Sequence, residues 1–141
     1  MNPSEYLIFA CTAMVILTFA VGMRLLQLRM SEMARTGVPL QNLAHRHQAS
    51  EHLKDTRALD NFSNLFEVPV LFYALCAIAL ATSHIPNWLP SLAWLFVILR
   101  VVHSLIHCTY NNVMHRFLLF MLGFLLLTAM WVAFAISINL S

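Results

Sequence analysis

Long apolar runs alternate with short polar breaks along this chain. The first run is Leu7–Met23, extended to Leu28 across Arg24; the second is Val68–Ala81, with a polar but helix-compatible lead-in from Arg57. The third is Trp88–Ile106, interrupted by Arg100 and His103, and the fourth is Phe117–Ile138. A helix needs about 20 residues to cross ~30 Å of hydrocarbon. The first, third and fourth runs meet that length directly. The second meets it only if its helix starts before Glu67, which assigns Asn61–Glu67 to it. The pattern predicts an all-α membrane protein, a four-helix transmembrane bundle in a single domain over residues 1–141. Its spans fall at about 5–28, 60–82, 88–107 and 116–138, with a loop at about 29–57.

Composition agrees. The chain is 60% hydrophobic and 10% charged, against roughly 25% charged for an average soluble domain. So few charges leave lipid as the natural solvent. A net charge of +2 with no basic run among aromatics argues against nucleic acid. No basic residue precedes the first run, and that run is too long for a signal core, so it reads as a retained anchor. Cys11, Cys76 and Cys108 form no CxxC pair and read as small buried residues.

The charges set an orientation. Arg24, Arg29, Arg35, Arg46, Lys54 and Arg57 lie in or beside the long loop, and Arg100 and Arg116 flank the short one between spans three and four. These are all eight Lys and Arg. The positive-inside rule places both basic loops in the cytoplasm and both termini outside.

Ionisable groups within spans are costly and usually face a partner or a cavity. Arg100 lies about 18 Å along its helix from Trp88, and His103, His107 and Tyr110 continue its stripe. Such a one-sided stripe is more than an arginine snorkelling to headgroups. On the second span, Arg57, Asp60, Asn61, Asn64 and Glu67 form another stripe. Pro69 removes a hydrogen bond to the Leu65 carbonyl and predicts a kink beside Glu67. The two stripes predict a cavity open to the basic face for a small anionic or zwitterionic ligand. Arg100, Arg116, Arg57 or Arg29 would pair with its carboxylates, and Glu67 with an ammonium group. A purely architectural Glu67–Arg100 ion pair is the competing reading. His45, His47 and His52 in the long loop read as solvated, so no metal is expected. Gly22, Gly37 and Gly123 are too scattered for a phosphate loop.

These residues resemble the MAPEG family, the membrane-associated proteins of eicosanoid and glutathione metabolism, over essentially the whole chain and in the manner of a bacterial member. The family's second-span motif is roughly R-A-x-x-N-x-x-E followed by Pro. Arg57-Ala58-Leu59-Asp60-Asn61 matches its start and Asn64-Leu65-Phe66-Glu67-Val68-Pro69 its end, in different registers. Aligning on Asn64 and Glu67 puts Asp60 where the family has Arg. Arg100-Val101-Val102-His103 is similar to the family's third-span R-x-x-H, with His107 in the place of a Tyr.

The resemblance implies a homotrimer that binds glutathione as co-substrate between protomers. Arg116 matches the arginine that stabilises the thiolate, and so is the expected catalytic residue. Arg29 (or Arg24), Arg57, Asn61, Asn64, Glu67, Arg100, His103 and His107 are the expected glutathione-binding residues. The implied function is a glutathione-dependent transferase or peroxidase acting on lipophilic electrophiles or hydroperoxides from the bilayer, in a bacterial inner membrane. The alternative is a non-catalytic lipid-binding or scaffold trimer of the same fold. A small proton-coupled exporter is disfavoured, because the first span has no acid between Glu5 and Glu32.

Overall fold

The computed structural model describes residues 2–37 and 57–139. The residues between, with Arg46, Lys54, His45, His47 and His52, lie outside the described part.

Five helices build the described chain: α1 Pro3–Thr36, α2 Arg57–Asn64, α3 Val68–Ala81, α4 Leu89–Cys108 and α5 Val113–Asn139. α2 and α3 together form one span, so four segments are long and apolar enough to cross a membrane. The protein is a multi-pass integral membrane protein.

α1 begins on a reciprocal cap. The Asn2 side chain accepts from the Glu5 backbone N–H at 2.9 Å, and the Asn2 N–H donates to the Glu5 carboxylate at 3.1 Å. It ends where Gly37 turns left-handed at φ 67°, donating its N–H to the Met33 carbonyl. Its 34 residues span about 51 Å, well beyond the ~30 Å hydrocarbon. Residues 29–36, expected as loop, are therefore helical, and they carry a Glu32–Arg35 ion pair.

The second span corrects another expectation. The chain between Asn64 and Val68 leaves the helix, so Leu65–Glu67 form a break rather than a kink inside one helix. Phe66 and Glu67 donate to the Ser63 and Asn64 carbonyls in tight turns. Pro69 stands in the first turn of α3, where its missing N–H costs nothing. In a continuous helix its ring would collide with the Leu65 carbonyl.

α4 sits centrally, packed on α5, α1 and α2. Its buried face runs Leu89, Ala93, Phe96, Arg100, His103, His107, one residue per turn. The face is apolar over its first half and polar over its second. Around the apolar half gather Leu7, Ala10 and Met14 of α1, Phe72, Leu75 and Ala79 of α3, and Leu127, Met130 and Phe134 of α5. Phe72 stacks on Phe96 with centroids 4.8 Å apart. Lipid tails are as apolar as these side chains, so close packing and interhelical hydrogen bonds hold the bundle together rather than exclusion from water. Two such bonds lie far from the basic end: Trp131 Nε1 donates to the Leu71 carbonyl at 3.2 Å, and His84 Nε2 meets Ser137 Oγ at 3.0 Å.

α4 and α5 are joined by a tight turn in which Asn111 adopts φ 49°, a conformation asparagine tolerates well. The Asn112 side chain then caps α5, accepting from the Met114 and His115 backbone N–H groups. This starts the fourth helix three residues before the expected boundary at Arg116. The turn also ends the polar stripe at His107. Tyr110 is exposed and pairs with His115 Nδ1 at 3.0 Å, so it is not part of the buried stripe.

Candidate functional site

The polar half of the α4 stripe is buried against α2 and α5. Arg100 is 1% exposed. Its guanidinium lies between the Phe96 and Phe120 rings, 5.3 and 5.2 Å from their centroids. Nη2 donates to the Phe120 carbonyl at 3.3 Å, while Nε has no partner among the described residues. Cation–π contact with two rings is worth more in such a desolvated setting than at a surface.

Glu67 stands elsewhere. It is exposed, in the break between α2 and α3. Among the described residues no ion pair joins it to Arg100. Within this chain Glu67 and Arg100 therefore do not line one cavity. The reason is the helix break: leaving helical geometry at Leu65 turns Glu67 off the Asn61–Asn64 face.

Asn61 and Ser104 form a buried tie between α2 and α4. Ser104 Oγ donates to Asn61 Oδ1 at 3.3 Å, and Asn61 Nδ2 donates to Cys108 Sγ at 3.4 Å. The Arg57 guanidinium donates to the Thr109 carbonyl and clamps the start of α2 to the end of α4. His107 is fully buried beside His103, with ring centroids 5.8 Å apart, and neither of its ring nitrogens has a partner among the described residues.

Three of the expected site residues meet around one cavity. Asn64, His103 and Arg116 line a space of about 190 Å³, closed by Val113, Phe117 and Phe120. Arg116 lies in the first turn of α5, where the helix amino terminus favours an anion. Its Nη1 donates to Asn111 Oδ1 at 2.9 Å, which orients the guanidinium. His103 Nδ1 lies 3.1 Å from the Arg116 carbonyl oxygen. A carbonyl only accepts, so Nδ1 carries the proton, and in a neutral ring Nε2 is then an acceptor. That Nε2 is buried without a partner among the described residues. The cavity thus offers a cationic donor, an amide and a free imidazole acceptor against an aromatic wall.

Arg100 borders this cavity through Phe120. Asn61, His107 and Arg57 belong to the α2–α4 tie instead. Arg29 is half-buried on α1, its Nε without a partner among the described residues, and neither it nor Glu67 lines the cavity. Sequence reasoning missed Phe117, Phe120 and Ser104. The first two lie one and four residues past Arg116, a helical spacing that could have flagged them. Ser104 follows His103 on the stripe. Larger grooves lie along α1 and α3 and are almost wholly apolar. Among the described residues no group of three or more His, Cys, Asp or Glu could hold a metal ion.

The family model for the MAPEG family matches residues 7–136. No curated protein and no solved structure matches the chain.

Proposed function

The chain belongs to the MAPEG family, and on that footing we propose that it is a glutathione-dependent membrane transferase or peroxidase acting on lipophilic electrophiles or hydroperoxides from the bilayer. The observation that carries this reading is the cavity that gathers Asn64, His103 and Arg116 at the basic end of the bundle. Glutathione brings its own nucleophile, so the protein need only favour the thiolate. A nearby cation does this. Arg116, held by Asn111 at the start of α5, supplies that cation, and the helix amino terminus adds to it. His103 Nε2 accepts a hydrogen bond from the bound tripeptide, and Asn64 positions it. Phe117 and Phe120 give the sulfur and the incoming apolar substrate a dry wall.

At about 190 Å³ the cavity is smaller than the roughly 300–1,000 Å³ of ordinary ligand pockets. A homotrimer, in which a neighbouring protomer adds the remaining wall, would complete it. Glu67 and Arg29, which stand off the cavity, are suited to serve a neighbour's ligand in that assembly. The natural setting is a bacterial inner membrane, with the basic ends in the cytoplasm and both termini on the opposite side. A scaffold trimer would be favoured by an Arg100–Glu67 pair that sealed the site; among the described residues of this chain no such pair forms.

Calorimetry in detergent tests the reading. Wild-type protein should bind glutathione, and Arg116→Ala should weaken binding by about tenfold to a hundredfold, the cost of a lost charged hydrogen bond. No heat of binding by the wild type at millimolar glutathione would refute it. Binding without turnover of an aromatic halide or a lipid hydroperoxide would move the assignment to the non-catalytic reading.

A further inference from the structure

Two of the three cysteines have found each other. Cys11 on α1 and Cys76 on α3 are far apart in sequence, yet they come together on one groove across the contact between those helices. Both line one groove of about 420 Å³, together with Ile8, Thr12 and Val15 of α1 and Tyr73 and Ala77 of α3. Cys76 is buried and Cys11 is half-buried. Cys11 stands eight residues past Pro3, about 12 Å along α1, and Cys76 five residues before Ala81, about 8 Å from the end of α3. The pair therefore lies within the hydrocarbon, in the half of the bundle away from the basic ends. It is separate from the Asn64–His103–Arg116 cavity.

A thiol in apolar surroundings is screened from charged, water-borne oxidants. It is reachable by oxidants that dissolve in lipid, and the groove is almost wholly apolar.

We propose that Cys11 and Cys76 form a redox-active dithiol that a lipid-soluble organic hydroperoxide oxidises to a disulfide tying α1 to α3. Cys11, the more accessible thiol, attacks the distal peroxide oxygen. The O–O bond breaks, the alcohol leaves with a proton, and Cys11 becomes a sulfenic acid. The Cys76 sulfur then attacks that sulfenic sulfur. The S–S bond forms and water leaves with the second thiol proton. Two electrons pass from the two sulfurs to the peroxide, so no further co-reactant is needed. α1 and α3 are otherwise joined covalently only through α2 and the long connection before it, so the bond would fasten the two faces of the groove.

The test uses wild-type protein in phospholipid nanodiscs, without glutathione, treated with equimolar cumene hydroperoxide and then denatured and alkylated with maleimide. Two of the three thiols should be lost, with Cys108 alone alkylated and an intact mass lower by two hydrogens. Dithiothreitol should restore both thiols. Glutathione disulfide, which is charged and water-borne, should leave all three free. Cys76→Ser should stop at a Cys11 sulfenic acid that dimedone traps. The proposal fails if all three thiols stay alkylatable after the hydroperoxide, if the disulfide joins separate chains, or if glutathione disulfide oxidises the pair as readily. The wild-type arm decides this even where the variant folds poorly. With no glutathione present, failure here leaves the reading of the basic-end cavity untouched.

Discussion

Arg100 lies directly against the backbone of Gly123: a methyl group at position 123 would come within 2.6 Å of Nη2 and 3.2 Å of Nε. The guanidinium has nowhere easy to go, since Phe96 and Phe120 hold its two faces. Gly123→Ala should therefore destabilise the bundle by about 1–3 kcal/mol, the usual range for overpacking. Arg100→Met removes the colliding atoms, so the double variant should lose less than the sum of the two single losses. Thermal unfolding in detergent measures the cycle, and strict additivity would show that the two residues do not press on each other.

His103 should be found as the Nδ1–H tautomer, because its Nδ1 faces the Arg116 carbonyl. Nitrogen chemical shifts of histidine-labelled protein report this directly. An Nε2–H ring would remove the free acceptor from the cavity, and with it the role given to His103.

The Asn61 tie should be worth little on its own. Interhelical hydrogen bonds in membrane proteins average about 0.6 kcal/mol. Asn61→Ala should cost about that much for each bond lost to Ser104 and Cys108, plus a small cavity term. A loss of several kcal/mol in reversible unfolding would mean that Asn61 supports more than these two contacts.

Pro69 should be the cause of the break at Leu65–Glu67. Pro69→Ala restores an N–H that can bond the Leu65 carbonyl, so α2 and α3 should run together. Pulsed spin-label distances between the outer faces of α2 and α3 would then change. An unchanged distance would assign the break to packing around Leu65 and Phe62 instead.

The sequence made the four spans plain because hydrocarbon thickness sets a length that composition alone can meet. Arg100, His103 and His107 were also legible as one stripe, since helical spacing and the cost of charge in lipid both act locally. What the sequence did not carry was how the second span ends its first helix. Pro69 announced a disturbance, but a kink and a full break differ by only a few dihedral angles, and the choice decides whether Glu67 joins Asn64 or leaves it. The same limit hid the Cys11–Cys76 pair. Nothing in the spacing of two residues on separate helices tells which faces will meet. The aromatic wall of Phe117 and Phe120 escaped for a different reason: an apolar residue in an apolar span carries no contrast.

The division of the α4 face into an apolar and a polar half also fixes something less visible. In a bilayer, neighbouring helices can exchange one oily contact for another as they slide, and composition gives little resistance. Here a slip of one turn, about 5.4 Å, would take the Arg100 guanidinium off Gly123 and set it against Leu127, the next buried position on α5. The charge would lose both the notch that admits it and the Phe120 carbonyl that receives it. Arg100 thus acts as a depth gauge, locking the vertical register of α4 and α5 before any ligand arrives.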